Sequence, residues 1–168
     1  MNDSSSKAWL ARPDGSLILG HGPFIASERP PEDGVAFFLQ RYGLDDPRPW
    51  QVPATFECLD ALAFAERNRS HAMPECSWNE LDAGPFAGVF QEVMDAIRRG
   101  VFEKTVPVVV EEGHLEAGTT ADLAAAMTQQ GQPRLSFAWM AGEHGFAGAT
   151  PEVLFTLEGS RLKTMALA

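Results

Sequence analysis

The chain has 168 residues, 45% of them apolar and 21% charged, which fits one globular domain or one lobe of a larger one and excludes broad disorder. Asp and Glu number 23 against 13 Lys and Arg, a formal charge of −10. That balance argues against non-specific binding to nucleic acid or anionic lipid, because neutralising phosphates takes a surplus of cations.

Other bounds follow quickly. Two cysteines, Cys58 and Cys76, are too few for a disulfide scaffold. No apolar run approaches the roughly 20 residues of a membrane span. The first residues, Met1 to Lys7, lack a basic and apolar leader. A soluble, cytoplasmic protein with no membrane partner is expected.

In chain order, Ala8–Arg12, the turn Pro13-Asp14-Gly15-Ser16 and Leu17–Leu19 read as strand, turn, strand. Pro23 to Gly34 reads as a loop, followed by the apolar patch Val35–Leu39. Gln51–Phe56 is a short strand, and Leu59–Arg67 a short helix with Asp60 near its start. Phe86, Val89, Phe90, Val93 and Ile97 recur at helical spacing, and Gly100 follows as a residue able to end the helix in the left-handed region. Thr105–Val110 reads as a buried strand, with Pro107 implying an edge or a bulge. Thr119 or Thr120 caps a helix over 121–130. Arg134–Met140 alternates as a strand with Leu135, Phe137 and Trp139 on one face. A turn at Gly142–Gly145, strands near Phe146–Ala149 and Val153–Leu157, and a hairpin at Glu158-Gly159-Ser160 complete the reading. The order of elements favours an α+β fold, with antiparallel sheets flanked by helices.

Two places could carry chemistry. In Gly145–Leu154, small residues allow close approach of a ligand, and Pro151 fixes the backbone before Glu152, a carboxyl suited to general acid or base work. Lys104 lies between the helix and the valine strand, where lost solvation favours a neutral amine. The plain alternatives are a solvated Glu and a surface Lys. The histidines, His21, His71, His114 and His144, show no metal-ligand spacing and read as surface or loop residues; the four tryptophans read as core anchors.

Three stretches resemble the chorismate-utilising enzymes, which include isochorismate synthase, salicylate synthase, and component I of anthranilate and aminodeoxychorismate synthases. Residues 96–106, AIRRGVFEKTV, look like the family's helix end, glycine and "EKVV" strand. Residues 148–154, GATPEVL, look like its "GATPE-L" segment, and 164–168, TMALA, like the start of "T-ALAGT".

The resemblance implies that residues 1–168 are the N-terminal portion of a single chorismate-binding domain, half of that family's sandwich. It implies chorismate as substrate and a complementary C-terminal half, as a second chain or a lost segment, without which the chain is inactive. That half would carry the Mg²⁺ ligands, so no metal ligand is assigned to this chain. Lys104 is matched to the lysine that activates water, and Ala168 to a position where other members carry a lysine nucleophile. Glu152 is matched to the acid that protonates the leaving hydroxyl. Gly148, Thr150, Ala166, Leu167 and Ala168 would line the substrate. The pattern resembles isochorismate synthase most, with the ammonia-using component I enzymes as the first alternative and a non-catalytic fragment or binding protein as the second. One departure stands out: Lys104-Thr105-Val106-Pro107-Val108-Val109 replaces "KVVLSR".

Overall fold

A computed structural model describes residues 5–68, 74–80, 82–128, 135–142, 144–150 and 155–164. The chain forms two compact units, one of residues Met1–Pro74 with Gly118–Ala168, the other of Glu75–Ala117. The α+β reading holds. Among the described residues no helix is long and apolar enough to cross a membrane.

The first unit is built on a six-stranded antiparallel sheet. Its strands are β1 (Lys7–Ala11), β2 (Ser16–Ser27), β3 (Phe37–Phe38), β4 (Trp50–Asp60), β7 (Leu135–Ala141) and β8 (His144–Thr150), in the order β3-β4-β2-β1-β7-β8. The β1–β2 hairpin forms where turn chemistry places it. Ser16 donates from its hydroxyl and its backbone N–H to Asp14 Oδ1, at 2.6 and 2.9 Å, and Gly15 takes φ +85°.

Strand β2 is longer than its sequence suggests. It continues through Pro23 to Ser27 instead of entering a loop. The β2–β4 ladder breaks between His21 and Phe24 and resumes at Phe24↔Pro53. Pro23 therefore sits in the break, where its missing N–H removes no ladder bond. Pro53 lies beyond the pairs Phe37↔Gln51 and Phe38↔Trp50 that end the β3–β4 ladder, so it too is free of a donor's duty on that side.

One face of this sheet is covered by two helices, α1 (Ala61–Arg67) and α3 (Thr120–Thr128). Asp60 caps α1 by accepting from the Ala63 N–H at 2.9 Å. Thr119 and Asp122 cap α3 reciprocally: Asp122 N donates to Thr119 Oγ1 and Thr119 N to Asp122 Oδ2. The core beneath them joins Trp9, Ala11, Leu17, Leu19, Ala138 and Met140 of the sheet to Phe64 of α1 and Ala124 of α3. The Trp9 and Phe64 rings lie 5.3 Å apart.

Strand β7 alternates as expected, but its buried face is the small one. Ser136, Ala138 and Met140 are buried, whereas Leu135, Phe137 and Trp139 are only half-buried on the opposite face. Small residues suit the side on which a helix must approach closely.

The second unit holds β5 (Glu75–Trp78), α2 (Gly84–Arg98) and β6 (Gly113–Ala117), with β5 and β6 antiparallel. These two strands carry no strong alternation and are not evident in the sequence. Just ahead of helix α2, Asp82 Oδ1 accepts from Gly84 N, and the helix has Pro85 in its first turn. It ends in a Schellman motif: Val101 N donates to Ala96 O and Gly100 N to Ile97 O, with Gly100 at φ +71°.

Thr105–Val110 is not a buried strand. The segment pairs with no strand among the described residues, and Val106, Val108 and Val110 are 71%, 78% and 78% exposed. Pro107 withholds one ladder donor, and no covering face is supplied from within its unit. Trp78 is likewise exposed, not a core anchor. The final hairpin forms as read, with β9 (Thr156–Glu158) against β10 (Arg161–Lys163) and Gly159 at φ +61°.

Truncating Phe64 to Ala removes the helix side of the core and is expected to cost about 3–5 kcal/mol by denaturant unfolding, while Leu62→Ala on the exposed side of α1 should stay within about 0.5 kcal/mol. A second prediction concerns the first turn. The Ser16 hydroxyl, then its backbone N–H, hold the Asp14 carboxyl below its usual range. A depressed folded-state pKa means the contribution is present at neutral pH and lost as pH falls through that value. Ser16→Ala should therefore move the Asp14 carboxyl titration, followed by NMR, upward towards the ordinary aspartate value; an unchanged midpoint would refute this account.

Candidate active site

The two stretches singled out for chemistry fall in different units. Lys104 belongs to the second, on the irregular segment that links the end of α2 to β6. Its side chain is exposed, and it has no hydrogen-bond or ion-pair partner among the described residues. The expected desolvation by a flanking strand is absent, because that strand does not form.

Gly148 and Thr150 belong to the first unit, at the C-terminal end of β8. Leu135 pairs with Thr150 and Phe137 with Gly148. The pairing explains the glycine: a Cβ there would lie 2.6 Å from the Phe137 ring. Glu152, Ala166, Leu167 and Ala168 lie outside the described residues.

The β8 residues open onto the sheet face that the helices do not cover. This face is aromatic. Phe24 packs on Trp139 at 4.4 Å and edge-on to Phe37 at 6.1 Å, and Phe137 lies 5.6 Å from Phe146. Gly20 is needed here for close approach, since a Cβ would meet the Phe37 ring at 2.6 Å. A cavity of about 530 Å³ runs along the face, lined by Leu10, Ile18, Phe37, Trp50, Trp139 and Phe146 among others. Its lining is almost wholly apolar. It offers surface for packing, with few donors or acceptors to orient a polar substrate.

His114 and His144 are surface residues, as expected, but they and His21 lie in strands and not in loops. His21 lies within β2, and its Nε2 is 3.0 Å from Glu57 Oε1 on β4. The alternation Leu17, Leu19, His21 carries the signal for this placement. His114 and His144 lie in strands and are exposed, and His71 lies outside the described residues. Among the described residues no group of three or more His, Cys, Asp or Glu is placed to hold a metal ion.

Comparison with known proteins identifies the class. The family model for chorismate binding enzymes matches residues 4–168, and the chain belongs to that family. No curated protein and no solved structure matches the sequence. The match spans all three motif stretches, 96–106, 148–154 and 164–168, and reaches back through the β1–β2 hairpin, where the motifs carry little.

The Gly148–Phe137 pair yields a test. Gly148→Ala should displace the ring and destabilise the first unit by about 1–3 kcal/mol. In a Phe137→Leu background the same change should cost much less. A double-mutant cycle by denaturant unfolding measures the difference, and additive costs would show that the ring is not what excludes a side chain.

Proposed function

We propose that this chain is the N-terminal portion of a Mg²⁺-dependent, isochorismate synthase-like enzyme that adds water to C2 of chorismate with loss of the C4 hydroxyl. The observation that carries the reading is the combination at two motif positions inside the matched region: lysine at 104 and alanine, not lysine, at 168. A lysine at the first position suits activation of water. An alanine at the second leaves room for that water where an amine nucleophile would otherwise reach the ring.

The chemistry follows from the two side chains. Lys104, as a neutral amine, accepts a proton from the water that attacks C2. Glu152, as a neutral acid, protonates the hydroxyl departing from C4 while the ring double bond shifts. One C–O bond forms and one breaks, so a water enters and a water leaves, and the product is an isomer of the substrate. In this reading Gly148, Thr150, Ala166, Leu167 and Ala168 line the substrate, none of them with a charged side chain. The described residues of this chain do not compose a metal site, and no step is routed through Mg²⁺ here; the reading places its ligands on the complementary half of the domain.

Two surfaces support such a complement. The aromatic sheet face leaves Leu10 47%, Phe38 57% and Phe146 65% exposed, and the valine segment is bare as well. Contiguous apolar surface of this kind is what a second part of a domain covers. Covering the valine segment would also remove water from around the neighbouring Lys104, the condition its role requires.

The test is an assay with chorismate and Mg²⁺, with and without ammonium, on the chain co-expressed with the C-terminal half of a chorismate binding enzyme. Isochorismate formation without ammonium is expected, with Lys104→Ala and Glu152→Gln each lowering kcat by about 10²–10⁴-fold. Product formed only with ammonium would replace water by ammonia as nucleophile. Absence of chorismate binding in the assembled protein would replace the enzyme by a binding module.

A further inference from the structure

A second cavity lies on the helix-covered side of the sheet, opposite the aromatic face. It holds about 280 Å³, and its walls come from β1, β2, β4, β7, α1 and α3. The floor is apolar and closed to solvent: Trp9, Phe64 and Met140 are 5%, 4% and 7% exposed. The rim is ionic and carries Lys7, His21, Glu57 and Arg67.

These charges are unevenly matched. His21 and Glu57 are bonded to each other at 3.0 Å. Lys7 and Arg67 are exposed, and neither has an acidic partner within ion-pair distance among the described residues. The rim therefore has a surplus of positive charge, in a chain whose formal total is −10. An acidic protein that keeps two cations without acidic partners among its described residues over an apolar floor has a local site for an anion, against the sign of its overall field.

We propose that this cavity binds a small organic carboxylate, with the carboxylate between Lys7 and Arg67 and a compact apolar body against Trp9 and Phe64. A cation is disfavoured, because the one carboxylate among the described lining residues, Glu57, is engaged by His21. A neutral apolar molecule leaves both cations unused. Inorganic phosphate leaves the aromatic floor uncovered. At about 280 Å³ the cavity falls just below the roughly 300–1,000 Å³ usual for ligand sites, so the ligand is compact.

The experiment is a ¹H–¹⁵N NMR titration of the full chain with cyclohexanecarboxylate, and in parallel with cyclohexanecarboxamide, its neutral counterpart. The carboxylate should shift the Trp9 indole resonance saturably, and the amide should bind at least about tenfold more weakly, as expected for loss of a charge-assisted contact. Lys7→Met and Arg67→Met should each weaken the carboxylate by about two- to fivefold, the range for partly exposed ion pairs, and leave the amide unchanged. Lys163→Met, which removes a cation already paired with Glu158 at 3.1 Å, should have no effect. Raising salt from about 0.05 to 0.5 M should weaken the carboxylate alone. Equal binding of acid and amide would overturn the proposal, as would a non-saturable shift, a shift that spares Trp9, or indifference to both rim substitutions. Lys7 and Arg67 are exposed, so their variants are expected to fold; Lys7→Gln and Arg67→Gln serve as second variants should either fail.

Discussion

The first unit depends on one constraint: a strand shows successive side chains to opposite faces, so each strand must satisfy two environments at once. In β1, Trp9 and Ala11 turn to the helices while Ala8 and Leu10 turn to the other side. In β7, Ala138 and Met140 do the first and Phe137 and Trp139 the second. Both faces are apolar. An antiparallel sheet with one wet face would show polar residues at every second position, and this one does not. The sheet is composed for the middle of a layered structure, with α1 and α3 supplying one of its two covers.

That constraint explains which parts of the fold can be read from the sequence. The β1–β2 hairpin, α1, α2 and the strand over 135–141 each carry a local signal: turn residues, a capping aspartate, helical spacing, alternation. All four form. The continuation of β2 past Pro23 is not legible, because proline usually ends a strand and only the partner's register shows that the ladder is already broken there. Strands β5 and β6 are short and mostly exposed, so no burial pattern marks them. The valine run fails for the opposite reason. Its composition reports the environment in which it is stable, and that environment is not supplied by its own unit.

The site divides along the same line. Motif residues are legible because backbone and substrate chemistry restrict them locally: Gly148 stands where only a bare Cα fits beside Phe137, and the lysine at 104 follows a helix stop that forms as read. The exposure of Lys104 is not legible, since that is a property of what surrounds the side chain and not of its neighbours in sequence. The His21–Glu57 pair escapes for a related reason: its partners are 36 positions apart, and the ladder that joins them runs through a bulge.

The two faces of the sheet also separate two kinds of recognition. The uncovered side offers aromatic surface with almost no polar atoms, which favours burial over a broad area and discriminates by shape. The helix-covered side is sealed at its floor and charged at its rim, which favours a small charged group and discriminates by sign. Alternation makes most of the separation: Lys7 and His21 border only the helix-side cavity and Leu10 and Ile18 only the other, while the large Trp9 side chain borders both. A change that fills one cavity acts on the other through Trp9 and through the backbone of β1 and β2, so the same strands that hold both in place also couple them.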